Sequence, residues 1–201
     1  MKKTMTVLGA TLQTASILHG MEHDVCAKAQ WVLDYVKTFP DFPLNGVTFQ
    51  WYSPLLREPV VFKKVIDLFA RRYRDSKIDV IVALDSRGFI FGSTLAYELE
   101  LPLVLISKAG KLPGEVVKTQ YDLHYGKDFF EIEKNILLPN QQVLIIDDVL
   151  ATGGTIKAAC QIVEQLGAKV YEAACLLEFK FLNGRSHVPC SVYSIALVEG
   201  N

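Results

Sequence analysis

Short apolar runs rich in β-branched residues alternate along this chain with segments of helical periodicity, and that alternation restricts the possible folds more than any other feature. The runs occupy residues 78–84, 101–106, 143–146, 170–177 and 192–197. Each has the length and composition of a buried strand. Between them lie a segment that opens at Pro59 and carries Val61, Val65, Leu68 and Phe69, a second at 89–99, and a third at 154–166 closed by Gly167. Proline suits the first position of a helix and glycine the position after its end. Strands alternating with helices give an α/β fold whose central, mainly parallel sheet is covered on both faces. In such sheets ligands bind beyond the carboxyl ends of the strands.

Two regions carry other signals. Val25, Ala29, Val32, Val36 and Phe39 recur at steps of four and three, which predicts an amphipathic helix ended at Phe39-Pro40. The stretch 39–46, with two prolines and an Asn-Gly pair, then excludes regular structure. Residues 107–134 are polar, contain Gly110, Gly114 and Gly126, and read as a loop or hairpin excursion.

Composition narrows the function classes. With 201 residues, half of them hydrophobic, the chain can bury a full core. A net charge of −1 gives no global basic field for nucleic acid, and no nucleic-acid partner is expected. No run approaches the ~18 apolar residues of a membrane span, so no membrane partner is expected either. Cys26, Cys160, Cys175 and Cys190 lack C-x-x-C or zinc-ligand spacing and read as reduced thiols, mostly in the core. Lys2 and Lys3 precede an apolar stretch, Met5 to Leu18, that its threonines, glutamine and serine make too polar for a signal peptide. The expectation is a cytoplasmic protein with an N-terminal extension at 1–23 and a single domain at 24–201. The string His19-Gly20-Met21-Glu22-His23 fits an inverted zinc-protease pattern, but Gly20 would interrupt the required helix and no third ligand is evident. Arg71-Arg72-Tyr73-Arg74 reads as the solvated polar end of a helix, and His187 as structural or exposed.

The chemistry concentrates after the apolar run at 143. Asp147-Asp148-Val149-Leu150-Ala151-Thr152-Gly153-Gly154-Thr155 brings two carboxylates to the sheet edge and then a glycine-rich turn that opens a helix. Backbone N–H groups at a helix N-terminus favour an anion, and the glycines let its oxygens approach closely. Thr152 and Thr155 add hydroxyl donors. The carboxylates suit sugar hydroxyls and a hydrated Mg²⁺. Acceptors and anion donors one turn apart match a sugar phosphate. Neither a P-loop nor a dinucleotide fingerprint is present. The ordinary alternative for this string is a capped helix start. A second strand–turn–helix at Asp85-Ser86-Arg87-Gly88 offers an arginine fork to another anion.

Taken in order, Phe39-Pro40-Asp41-Phe42-Pro43, Leu84-Asp85-Ser86-Arg87-Gly88-Phe89, Gly110-Lys111-Leu112-Pro113-Gly114 and the Asp147 loop resemble the type I phosphoribosyltransferase family, and within it the adenine-specific enzymes. The resemblance runs from about Cys26 to the end. It implies the family fold, with a flexible hood within 107–134. It implies transfer of the phosphoribosyl group of phosphoribosyl pyrophosphate to adenine, giving AMP and pyrophosphate, with Mg²⁺ and in a homodimer. Asp147 and Asp148 would then hold the ribose hydroxyls and lie near the Mg²⁺. Ala151, Thr152, Gly153, Gly154 and Thr155 would cradle the 5′-phosphate, and Arg87 and Lys108 would meet pyrophosphate. Phe49 and Val149 would sandwich the base, while backbone groups at Thr48 and Gln50 read its edge. Three positions depart from the pattern. Phe49-Gln50-Trp51 stands where the family has Phe-Arg-Asp, and Ser107 where it has Arg. Leu123-His124-Tyr125-Gly126 stands where it has Leu-Glu-Tyr-Gly. The family's Glu is assigned proton transfer at the base. His124, whose kind titrates near ~6.5, either takes that role or is a solvated loop histidine, and Tyr125 either helps close the hood or packs the loop. Another purine acceptor, or a non-catalytic sensor of phosphoribosyl pyrophosphate, are the competing functions.

Overall fold

The structure, a computed structural model, describes residues 29–123 and 126–200. The expected extension at 1–23, the H-x-x-E-H string and Cys26 fall outside them. In chain order a 3-10 turn at Gln30–Tyr35 leads to β1 (Lys37–Phe39), β2 (Phe49–Trp51), α1 (Ser53–Leu56), α2 (Pro59–Tyr73), β3 (Val80–Leu84), α3 (Gly88–Leu99) and β4 (Leu103–Lys108). Then come β5 (Val116–Leu123), β6 (Gly126–Glu133), β7 (Gln142–Leu150), α4 (Gly154–Gln165), β8 (Lys169–Phe179), a 3-10 turn at Gly184–His187 and β9 (Val192–Val198).

Among the described residues, seven strands form one sheet in the order β5-β6-β4-β3-β7-β8-β9. The five strands from β4 to β9 pair in parallel, and the β5–β6 hairpin adds antiparallel pairs at one edge. Side chains alternate between two cores. Val80, Val82, Leu84, Val143 and Ile145 pack with Ile156, Cys160 and Val163 of α4. Ile81, Leu144 and Ile146 pack with Phe69 of α2 and with Phe91 and Leu95 of α3 on the other face. Burial on both faces explains why β3 and the first half of β7 read as unbroken apolar runs.

The structure corrects three readings of the sequence. The helix expected across Val25–Phe39 is, where described, a 3-10 turn followed by β1, because Lys37, Thr38 and Phe39 pair with Trp51, Gln50 and Phe49. Pro40 reinforces this, since a residue before proline prefers the extended form. β7 continues past Ile146 to Leu150, so Asp147 and Asp148 stand on strand rather than loop; Asp147 lies opposite Cys175 and Val149 opposite Leu177 of β8. Tyr73 is buried, and Arg72, though it keeps one side in solvent, is tied down rather than free. The Arg72 fork reaches both oxygens of buried Glu172 at 2.8 Å, the Tyr73 hydroxyl donates to it at 2.7 Å, and Arg72 stacks 4.4 Å from the Tyr193 ring.

Candidate functional site

β3 and β7 are neighbours in the sheet, yet the helices that follow them lie on opposite faces. Their carboxyl-end loops diverge and leave a crevice, the usual place for a ligand in an open α/β sheet. Gly88 makes the crevice narrow. A Cβ there would lie 2.7 Å from the Ile146 carbonyl oxygen and 3.1 Å from Asp147 Cα, so only glycine lets α3 start against β7.

That contact delivers Arg87 to the acidic pair. Its Nε lies 3.1 Å from Asp148 Oδ2, and the Tyr52 hydroxyl donates to the same oxygen at 2.9 Å. The guanidinium sits 5.6 Å from the Phe49 ring centre and 5.7 Å from that of Tyr52, within cation–π range. Burial, then the Asp148 charge, pushes the Tyr52 phenol well above its ordinary range, so it stays protonated as a donor. Asp147 is buried as well. It accepts the Asp148 N–H at 2.8 Å and the Thr155 hydroxyl at 3.2 Å. Burial, then the neighbouring Asp148 charge, holds its carboxyl well above the usual carboxylate range. Two buried carboxylates, of which only Asp148 has Arg87 as an ion-pair partner, form a place where further donors, such as sugar hydroxyls or a hydrated cation, are favourable.

The turn beyond β7 has the geometry of an anion cradle. Gly153 adopts φ +86°, and a Cβ on it would approach the Gly184 carbonyl oxygen to 2.5 Å and Val188 Cγ2 to 3.0 Å. Gly184 is as confined, because any side chain on it would run into the Ala151 carbonyl. The 184–187 turn thus braces the loop from outside, and His187 Nδ1 lies 3.2 Å from the Thr152 carbonyl. α4 begins at Gly154 and points its N-terminus into the crevice.

The opposite wall comes from the loop after β4. Lys108 N–H and Lys111 Nζ both donate to Asp85 Oδ2, at 3.1 Å and 2.9 Å. Burial raises Asp85, but the Lys111 and Lys108 bonds outweigh it and hold the carboxyl below its usual range. Glu131 anchors the same loop from beneath. It is 1% exposed and accepts the N–H groups of Lys111 and Leu112 at 2.7 and 2.8 Å, with Lys118 Nζ at 3.3 Å. Bonds from the backbone of Leu112, Gly110 and Lys111 pull its pKa down to about 2.

These walls enclose a cleft of about 390 Å³. Every described candidate lines it: Thr48, Phe49 and Gln50 from β2 and its approach, Arg87 and Lys108 from the β3 and β4 ends, Asp147, Asp148 and Val149 from β7, and Ala151 to Thr155 from the turn. His124 and Tyr125 lie outside the described residues. Sequence reasoning missed Tyr52, Asp85, Lys111, Glu131 and Phe179. The Gly110-Lys111-Leu112-Pro113-Gly114 segment was the available signal for Lys111; Tyr52 and Glu131 carry none, since their importance is set by partners distant in sequence.

Residues 52–188 match the family model described as "Phosphoribosyl transferase domain". An adenine phosphoribosyltransferase from Roseiflexus castenholzii is 48% identical over 155 residues, 77% of this chain and 90% of the relative. One from Stochomys longicaudatus is 47% identical over 174 residues, 85% of this chain and 97% of the relative. The crystal structure of the Saccharomyces cerevisiae adenine phosphoribosyltransferase, complexed with an imino-altritol bisphosphate and adenine, superposes with a TM-score of 0.79 at 42% identity, covering 84% of this chain and 98% of that one. Identity of this size over nearly the whole length of those enzymes, with a superposable fold, means that the chain belongs to the adenine phosphoribosyltransferases of the phosphoribosyl transferase domain family.

Proposed function

We infer that this chain transfers the phosphoribosyl group of phosphoribosyl pyrophosphate to adenine, releasing pyrophosphate and AMP, as a step of purine salvage. The observation that carries the reading is the meeting, in one cleft, of a buried carboxylate pair, an arginine fork and a glycine-rich helix start, beside the half-buried Phe49 ring. Purified protein is given phosphoribosyl pyrophosphate, Mg²⁺ and adenine, hypoxanthine, guanine or xanthine in turn, and nucleotide and pyrophosphate are measured. AMP from adenine is expected. IMP, GMP or XMP in its place would reassign the base, and binding of the sugar donor without product would make the chain a sensor.

In the reaction, N9 of the base attacks C1′ as the C1′–pyrophosphate bond breaks. The sugar becomes cation-like and negative charge grows on the leaving group. Arg87 and Lys108 are placed to stabilise that charge, an electrostatic contribution that is often the largest in catalysis. Arg87 exchanges Asp148 for pyrophosphate, and Asp147 and Asp148 then take the ribose hydroxyls. Ala151 to Thr155 hold the 5′-phosphate at the α4 N-terminus. The base lies between Phe49 and Val149, with its edge toward the backbone of Thr48 and Gln50. The Gln50 side chain is engaged elsewhere, accepting the Thr38 hydroxyl at 3.0 Å. His124 donates the proton to the base, and Tyr125 helps the hood exclude water, which otherwise hydrolyses the activated sugar.

Mg²⁺ belongs to this scheme as a companion of the substrate. Among the described residues no group of three or more His, Cys, Asp or Glu could hold a metal ion. Asp147 and Asp148 are hard oxygen donors at the cleft, which suits Mg²⁺ bound through one or two carboxylates, waters and substrate phosphates. When bound it would neutralise charge on the departing pyrophosphate.

Three further properties are proposed: a homodimer, which the resemblance implies, and, from the sequence itself, a cytoplasmic location and a single domain at 24–201 behind an extension at 1–23. The free thiols of Cys160, Cys175 and Cys190 support a reducing compartment. Among the described residues no helix is long and apolar enough to cross a membrane. Light scattering tests the dimer by reading twice the mass of one chain.

A further inference from the structure

Two of the chain's thiols serve no purpose in the reaction, yet they touch. Cys160 lies on α4 and is 1% exposed; Cys190, thirty positions later, is half-buried between the 184–187 turn and β9. Their sulfurs are 3.6 Å apart, one of them donating to the other. Cys175 differs. It is wholly buried, and its sulfur donates to Ser194 Oγ at 3.4 Å rather than to another thiol.

The contact is asymmetric. The sulfur–sulfur hydrogen bond, then burial, raises the Cys160 thiol, while the same bond lowers that of Cys190 against the effect of burial. The more accessible sulfur is therefore the easier of the two to ionise, and the buried one lies beside it. A reactive sulfur with a resolving sulfur in reach is the arrangement that hydroperoxides oxidise selectively.

We propose that Cys160 and Cys190 form a redox site that a hydroperoxide converts reversibly to a disulfide, and that closing this bond loosens the Ala151–Thr155 loop. The Cys190 thiolate attacks the distal peroxide oxygen, the O–O bond breaks, and the departing alkoxide (hydroxide from hydrogen peroxide) takes a proton from solvent, so that Cys190 becomes a sulfenic acid. The Cys160 sulfur then attacks the Cys190 sulfur. The S–S bond forms, the S–OH bond breaks, and the hydroxide departs as water with the Cys160 proton. Two thiols lose two electrons and the peroxide gains them; a dithiol reductant reverses the change.

The link to the loop is mechanical. A disulfide needs sulfurs about 2.05 Å apart, so the pair must close by roughly 1.5 Å. Cys160 is held in the core by α4, which leaves the 188–190 segment to move. That segment continues the turn whose Gly184 backbone leaves no room beside Ala151 and Gly153, and whose Val188 borders Gly153. A pull on Cys190 is thus a pull on the cradle.

The test treats full-length protein with hydrogen peroxide, maps disulfide-linked peptides by mass spectrometry, and measures KM for phosphoribosyl pyrophosphate. The Cys26→Ser protein is run in parallel to remove that thiol, and Cys190→Ser serves as the insensitive control. A Cys160–Cys190 linked peptide is expected, with KM raised about fivefold or more, kcat retained, and both restored by dithiothreitol. Absence of the linked peptide overturns the site. A linked peptide with unchanged KM overturns its coupling to the loop. The KM measurement rests on the proposed function and the peptide map does not, so reduced protein that makes no nucleotide would sink the function alone.

Discussion

Gly153→Ala tests whether the turn after β7 holds the 5′-phosphate. The added Cβ would stand 2.5 Å from the Gly184 carbonyl oxygen, where ordinary contact begins at 3.4 Å, so the turn must give by 3.4 − 2.5 = 0.9 Å. The backbone at φ +86° adds its own strain, roughly 1–2 kcal/mol for an L side chain. A displacement of that size takes an N–H···O bond from ~2.9 Å to beyond ~3.5 Å, where it ceases to count. Losing one bond to a charged oxygen costs about 1.5–3 kcal/mol, or about 10- to 150-fold in affinity. KM for phosphoribosyl pyrophosphate should therefore rise by that factor while kcat changes little, since the reacting centre lies elsewhere. Gly167→Ala is the control. Its φ is +82°, but the nearest atom to a new Cβ is 3.7 Å away, so it carries the strain without the collision. It should lose about 1–2 kcal/mol in urea unfolding with KM unchanged. A Gly153→Ala enzyme with KM within twofold of the parent, while Gly167→Ala shows its stability loss, would refute the cradle.

Tyr52→Phe removes the hydroxyl from Asp148 and leaves no cavity; unfolding in urea should show a loss of about 1.5–3 kcal/mol with unchanged m-value. Asp147→Asn removes a charge that burial and Asp148 disfavour, so the ligand-free protein should melt at a higher temperature while its KM for the sugar donor rises. A lower melting temperature would contradict the raised pKa. Glu131→Gln should be less stable than the parent at neutral pH. Glu131 has a folded pKa of about 2, below the ordinary 4.5, so its contribution is complete above 4.5 and fades as pH falls toward 2. The gap between the two proteins in urea should close over that interval, and a gap independent of pH would reject the assignment. His124→Ala should flatten the pH dependence of kcat near ~6.5, whereas an unaltered profile returns His124 to an ordinary loop position.

The parallel core was legible because strands buried on both faces leave an unbroken apolar signature, as at β3 and β7. β1 was not, because its three residues are exposed and their extended form depends on partners at 49–51. The end of β7 was misjudged for a related reason: its carboxylates look like loop residues until β8 is seen to pair with them. Motif residues could be found since glycine, arginine and adjacent aspartates in a strand–turn–helix frame have few physical uses. Glu131, Tyr52 and the Cys160–Cys190 pair gain their meaning from neighbours 19 to 96 positions away, which a linear pattern does not display.

The Arg87–Asp148 pair has a consequence for how a substrate is admitted. Across the cleft the two charges satisfy each other, and the Tyr52 hydroxyl donates to the same Asp148 oxygen. Pyrophosphate arriving alone would draw Arg87 away and strand Asp148; a ribose arriving alone would occupy Asp148 and strand Arg87. Each fragment meets a toll that the joined molecule avoids, since its two ends replace both partners together. If Arg87 meets pyrophosphate and Asp148 the ribose as proposed, a site wired in this way would favour the intact donor over its pieces.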